Sequence, residues 1–360
     1  MKKYIYIIRN YALILIVYFG FQNQIQAQTT YTYFPDSTWI KYDSVISVGY
    51  NPQKIEKVIK YVIDSMNTTG LVVTVNGKIL FDYGDIKELS YIASCRKSIL
   101  SMMYGKYVKN GTIDLDKTLE ELGVDDINGL LPVERQATIR DLLTARSGVY
   151  HPRSNGGDDT KYAPPRGSVK PGSYFLYNNW DFNAAEGIFE QLTKKNIYKA
   201  FEEDIAIPIK MQDFKIERQE KSGDSTKFKY LAYHFWLSTR DMARLGLLML
   251  NNGSWNGKQI IPKDWVKLTT STITPTSEIN PKFKRAWKLA YGYLWWIWND
   301  DNKIFDGAYY ASGAYGQYLL IIPKLKMVIS HKTKYAYRRK TQFPEFRKLV
   351  YKIIDSKNEK

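Results

Sequence analysis

The chain has 360 residues, 44% apolar and 24% charged, so it can bury a sizeable core and is not, as a whole, disordered, collagenous or a coiled coil. Fifty-two Lys and Arg against 36 Asp and Glu give a net charge of +16, which suits acidic surroundings such as nucleic acid, anionic lipid or cell-wall polymer and says nothing about fold. One cysteine, Cys95, excludes an internal disulfide framework and a cysteine-based zinc cluster, and His151, His234 and His331 stand far apart with no metal-binding spacing, so no metal and no cofactor are expected.

Residues 1–27 contain no Asp or Glu. Lys2, Lys3 and Arg9 precede an apolar run from Tyr11 to Phe21, and Ala27 supplies a small residue before a cut. This is the layout of a secretory signal peptide, and the run is short for a membrane span. The alternative is an uncleaved anchor. Export, to the periplasm or beyond, argues against a nucleic-acid partner. It leaves the positive charge as attraction to an anionic envelope or as plain solubility.

Asn51 before Pro52 reads as an N-cap followed by proline at the first helical position, with Ile55, Val58, Ile59, Val62 and Ile63 at helical spacing. Leu71–Val75 and Lys78–Phe81 flank Asn76-Gly77, the strongest short hairpin signal. A helix is predicted after Ser94, with Ile99, Met103 and Tyr107 on one side and Gly111 as its stop. Beyond residue 113 the character changes. Thr138 with Asp141 and Ser238 with Asp241 fit capping boxes that each open a leucine-rich helix, and 178–191 and 262–270 also read as helix. The 150s and 160s read as loop, with Gly156-Gly157 and Pro164-Pro165. Strand character returns over 291–298, 304–310, 317–322 and 327–332, with a turn at 323–326, and a helix over 344–356 closes the chain. There is no internal repeat. The pattern predicts an α+β fold, with one antiparallel sheet built from 28–112 and 286–360 and flanked by their helices. A mainly helical region, 113–285, is inserted between the two parts.

Three short segments carry chemistry. Ser94-Cys95-Arg96-Lys97 begins the predicted helix, and positions i and i+3 share a face, so hydroxyl and amine can meet. A serine hydroxyl attacks only when something takes its proton, and a buried lysine can do so once its pKa falls. The Ser94 amide at a helix start is free to bind an oxyanion. Taken alone, the segment also reads as a capping serine with a solvated lysine. Tyr177-Asn178-Asn179 follows the loop; a phenol beside an ammonium can have a lowered pKa and act as a base. The alternative is a helix-start tyrosine packed on the core. Ala311-Ser312-Gly313 lies where a strand begins, and the glycine lets a substrate or a backbone approach closely. Cys95 reads as a small buried residue, because a thiol nucleophile would want a histidine partner.

In order and spacing, these segments resemble the penicillin-recognising serine hydrolases, with their Ser-x-x-Lys, Tyr-x-Asn and Lys/His-Thr/Ser-Gly motifs. They look most like the class C β-lactamase and esterase branch. The likeness covers roughly residues 50–355. Ser147–Pro152, Gly172–Trp180 and Ala311–Gly313 running into Gly316-Gln317-Tyr318 look like the 6-aminohexanoate-dimer (nylon oligomer) hydrolases.

The resemblance implies a β-lactamase/transpeptidase-like fold and an acyl-enzyme esterase or amidase acting on a small-molecule or peptide ester or amide. Ser94 would be the nucleophile, Lys97 its proton partner and Tyr177 the general acid/base. The amides of Ser94 and Ala314 would form the oxyanion hole. Asn179, Trp180, Ser312, Gly313 and His151 are candidates for substrate contact. The departure is Ala311, where many members carry a Lys or His that holds a substrate carboxylate. Its loss disfavours β-lactam and D-Ala-D-Ala substrates. A β-lactamase or DD-peptidase, and a non-catalytic envelope-binding protein of the same fold, are the rival readings. Oligomeric state is not legible.

Overall fold

The computed structural model describes residues 32–358, so the segment read as a signal peptide lies outside the described residues. Asn51 Oδ1 accepts the Lys54 amide at 3.0 Å, and helix α1 runs from Pro52 to Ser65 with Ile55, Val58 and Val62 buried. Strands β1 (Gly70–Val75) and β2 (Lys78–Gly84) follow. Asn76 and Gly77 join them at φ +49° and +82°, the left-handed pair that a two-residue hairpin needs. Helix α2 (Cys95–Lys109) comes next, and α3 spans Asn179–Thr193. Helix α4 covers Thr239–Leu250. The C-terminal part supplies β3 (Leu289–Tyr291), β4 (Trp296–Trp298), β5 (Tyr309–Gly313), β6 (Gln317–Ile322), β7 (Met327–Lys332) and helix α5 (Phe343–Asp355).

One seven-stranded sheet runs in the order β2-β1-β7-β6-β5-β4-β3, every neighbouring pair antiparallel. Its two faces follow from the period of two along each strand. In β6, Tyr318, Leu320 and Ile322 join Val58, Leu349 and Ile353 of α1 and α5 in one core. The alternate residues Leu319 and Ile321 join Ile99, Met103 and Leu245 of α2 and α4 in the other. That second core extends through much of the 113–285 region, so the inserted helices share a core with the sheet rather than closing one of their own. Of the described residues, 34–358 form one compact unit. Among the described residues no helix is long and apolar enough to cross a membrane.

Two predicted elements differ. The aromatic run 291–298 is a hairpin of two three-residue strands, with Trp296 paired to Tyr291. Leu294 takes φ +61°, and Gly292 sits where any Cβ would strike the Thr269 carbonyl, so an apolar run that reads as a strand turns back on itself. Over 304–310, the chain makes a 3₁₀ turn at Lys303–Phe305 and enters the sheet only at Tyr309. Of the two capping boxes, Thr138 and Asp141 close theirs, but the helix behind it is short, Ile139–Leu143. Ser238 caps α4 while the Asp241 carboxylate turns away to the Gln212 and Asp213 amides.

Helix α4 approaches the sheet through Gly246, where a Cβ would overlap Val328 Cγ1 and lie 2.9 Å from Leu319 Cδ1. Gly246→Ala should therefore overpack this contact and cost about 1–3 kcal/mol. It should be read as a lower urea midpoint with an unchanged slope. An unchanged midpoint would mean that the layer yields freely there.

Candidate active site

Ser94 is carried by a constrained turn. Ser90-Tyr91 pairs with Trp236-Leu237, and the Ile92 amide donates to the Phe235 carbonyl at 3.0 Å. Ala93 then takes φ +49°, a left-handed conformation that costs a non-glycine residue about 1–2 kcal/mol. Gly313 on β5 lets the sheet press against this turn, since a Cβ there would meet the Ile92 carbonyl and lie 3.2 Å from Ala93 Cβ. The close approach that glycine permits is thus backbone to backbone. Ser94 stands at the N-cap of α2 but caps nothing, which leaves its hydroxyl for another partner.

That partner is Lys97, one helical turn on. Its Nζ lies 2.9 Å from Ser94 Oγ and 2.7 Å from Tyr177 Oη, with only 2% of the residue exposed. Burial drives the Lys97 pKa well below the ordinary lysine value, the Arg96 charge pushes it the same way, and Asp158 and Asp159 pull back. Burial also raises the Tyr177 phenol, against the opposing hydrogen bond to Ser94. The expected lowering of the tyrosine is therefore corrected: burial favours the neutral form of both groups, so the Lys97 amine, rather than a phenolate, is the base this site favours. Cys95 is 2% exposed, its Sγ 3.4 Å from the Gln317 carbonyl, and burial pushes its thiol up to about 12.

Tyr177 is set at the start of α3. Its carbonyl accepts the Asp159 amide at 2.9 Å, Asn178 caps the helix through the Trp180 amide, and Trp296 stacks on the phenol ring at 5.7 Å. Asp159 in turn accepts Lys284 Nζ at 2.6 and 2.7 Å.

Two hollows open on either side of Ser94. The first, about 340 Å³, is bordered by Tyr177, Lys284, Trp296, Ser312, Gly313 and Lys340. The second, about 650 Å³, is bordered by Tyr91, Arg96, Asn155, His234 and Trp236. Ser94, Gly157, Ala314 and Tyr315 border both. The amides of Ser94 and Ala314 have no acceptor among the described residues.

Three predicted contacts lie elsewhere. His151 is buried, its ring nitrogens 3.0 and 2.9 Å from the carbonyls of Pro152 and Ile127. Trp180 is buried too and donates its indole N–H to Asp126 at 2.8 Å. Asn179 borders neither hollow; its side chain holds the Gly156 carbonyl at 2.7 Å and its amide meets Asp158 at 3.0 Å, so it shapes the loop that forms the wall. Each of these polar groups is thus held by a partner inside the fold: a carboxylate for Trp180, backbone carbonyls for His151 and Asn179. Ala311 packs beneath α2 beside Cys95 and Ser98 and brings no charge to the cleft. Among the cleft residues that sequence reasoning missed are Arg96, Lys284 and Lys340. Arg96 lies inside the Ser-x-x-Lys segment itself, while Lys284 has no local signal.

A family model described as Beta-lactamase matches residues 56–341. Among solved structures, a provisionally named 6-aminohexanoate-dimer hydrolase of Bacillus anthracis is 22% identical, with a TM-score of 0.64 over 90% of this chain and 88% of that one. A penicillin-binding protein homologue of Caulobacter crescentus is 13% identical, with a TM-score of 0.62 over 89% and 99%. A class C beta-lactamase is 13% identical, with a TM-score of 0.61 over 86% and 96%. Likenesses at this level of identity are likenesses of fold.

If the neutral Lys97 amine activates Ser94, labelling of Ser94 by a fluorophosphonate should accelerate as pH rises through the depressed Lys97 pKa. The ascending limb should lie well below the ordinary lysine range and vanish in Lys97→Ala. A labelling rate that is flat with pH, or a limb that survives the substitution, would remove Lys97 as the base.

Proposed function

The chain belongs to the beta-lactamase family, and we propose that it is a serine hydrolase that cleaves an ester or amide through an acyl-enzyme on Ser94. One observation carries this reading: a buried lysine amine within hydrogen-bonding reach of both a serine hydroxyl and a tyrosine hydroxyl. As Ser94 Oγ attacks the substrate carbonyl, Lys97 takes its proton. The oxyanion lies between the amides of Ser94 and Ala314, donors each worth about 10²–10³ in rate at such sites. Collapse of the intermediate needs a proton on the leaving group, and it passes from the Lys97 ammonium through the Tyr177 hydroxyl. Water then enters by the reverse route: Lys97 takes its proton, the hydroxide attacks the acyl carbonyl, and the Ser94 alkoxide recovers its proton.

Esters and linear amides are favoured over β-lactams. The position that carries a carboxylate-binding Lys or His in related motifs is Ala311, buried beneath α2. Losing one charge-assisted contact costs about 1.5–3 kcal/mol, roughly ten- to a hundredfold in affinity. An uncharged ester does not need the contact.

Ser94→Ala should abolish turnover of a p-nitrophenyl ester and covalent fluorophosphonate labelling while the fold is kept; turnover at the wild-type rate would end the mechanism. Lys97→Ala and Tyr177→Phe should each slow acylation strongly, and the double variant should lose far less than their product, because a shared proton relay fails once. Multiplicative losses would show two independent groups. In kcat/KM the ester should exceed the 6-aminohexanoate dimer, and both should exceed a chromogenic cephalosporin. A cephalosporin that ranks first would favour a β-lactamase.

A further inference from the structure

Arg96 plays no part in the proton relay, yet it borders the larger hollow two residues from the nucleophile. It is 1% exposed. Its Nη2 donates to Asn183 Oδ1 at 2.8 Å, and its guanidinium stacks 4.0 Å from the Tyr233 ring centroid. Nη1 has no acceptor, and among the described residues no carboxylate pairs with the group. Asn183 is itself fixed, its Nδ2 reaching Asn155 Oδ1 at 3.0 Å and Ser154 Oγ at 3.2 Å. A second polar atom on the same wall is also unpartnered. His234 Nε2 lies 2.6 Å from Ser222 Oγ, while Nδ1 has no partner. Burial, with the charges of Arg96 and Lys97, pushes this imidazole down to about 4, so it is neutral and has one N–H to give.

A buried cation without a counter-ion is costly, and an anion brought by a ligand offsets that cost. The hollows also divide the substrate. Tyr177, the route by which a leaving group gains its proton, borders the smaller hollow and not the larger. The leaving group therefore lies on the Tyr177 side and the acyl group on the Arg96 side. We propose that the larger hollow takes an acyl chain ending in a carboxylate, held by Arg96 with His234 beside it, so that the substrate is a monoester or monoamide of a dicarboxylic acid. Glu220, the acidic side chain on this wall, is exposed and forms no ion pair with Arg96. The inference rests on the hydrolase reading of Ser94.

The test compares p-nitrophenyl monoesters of succinic to suberic acid with the same esters capped by a methyl group. Wild-type protein should favour the free acid at its best chain length by at least about tenfold in kcat/KM, chiefly through KM. In Arg96→Met that ratio should fall towards one, and Arg96→Lys should keep part of it. Free dicarboxylate of the best length should inhibit the wild type competitively, and this reading stands even if Arg96→Met does not fold. Equal turnover of acid and methyl ester by the wild type, or an unchanged ratio in Arg96→Met, overturns the inference alone. A wild type that cleaves neither ester and leaves Ser94 unlabelled overturns the hydrolase reading and this inference with it.

Discussion

An ammonium group taken out of water loses hydration worth several kcal/mol unless a counter-ion replaces it, and Lys97 has been taken out of water almost completely. Its near neighbours are two hydroxyls, Ser94 and Tyr177, rather than a carboxylate. The two acids that pull its pKa back up, Asp158 and Asp159, are themselves engaged. Arg153 holds Asp158 with two hydrogen bonds of 2.9 Å, and Lys284 holds Asp159. The loop that supplies these acids is thereby tied down, and much of its negative charge is spent away from Lys97. Burial therefore disfavours the charged amine, because no close counter-ion offsets its lost hydration.

Tyr177 and Phe182 cover this amine, and the seam between the sheet and α2 sets the serine that faces it. Ala93 accepts a left-handed backbone so that Ser94 can begin the helix with its hydroxyl facing Lys97 rather than its own first turn. Such strain persists only where the surroundings over-determine it. Here they include the Ile92–Phe235 hydrogen bond on one side and β5 against the turn on the other. Ala311 and Gly313 belong to the same seam. Small side chains at both positions let strand and helix close up, so the short residues of this motif serve packing.

The sheet and its two flanking layers were legible because each rests on a local signal. Asn51-Pro52, Asn76-Gly77 and the short apolar run in 317–322 act within a few residues, and the structure follows them. The hairpin at 291–298 was not, because the turn at Gly292 is imposed by the Thr269 carbonyl, a distant partner. Ser94 and Lys97 were readable for the same local reason: a spacing of three on one helix face brings them together. Tyr177 could be brought to them only by the family resemblance, since eighty residues separate it from Lys97. Trp180 and His151 stand beside readable motifs but turn inward to Asp126 and to backbone carbonyls. Nothing in a sequence says which face of a helix start a polar side chain will take.

Arg96 and Lys97 are adjacent cations in a buried place, and their coupling sets a trade between binding and catalysis. The Arg96 charge helps keep Lys97 deprotonated. A carboxylate bound as proposed against Arg96 would screen that charge and so raise the Lys97 pKa toward its ordinary value. A higher pKa makes the amine a stronger base for the Ser94 proton and leaves less of it unprotonated at a given pH. The gain comes only with the acyl chain seated, when a carbonyl is present to be attacked. In its absence the Arg96 charge holds the Lys97 pKa lower, which makes the amine a weaker base. On the proposed binding mode, one buried arginine beside the base would join recognition of the acyl end to activation of the nucleophile.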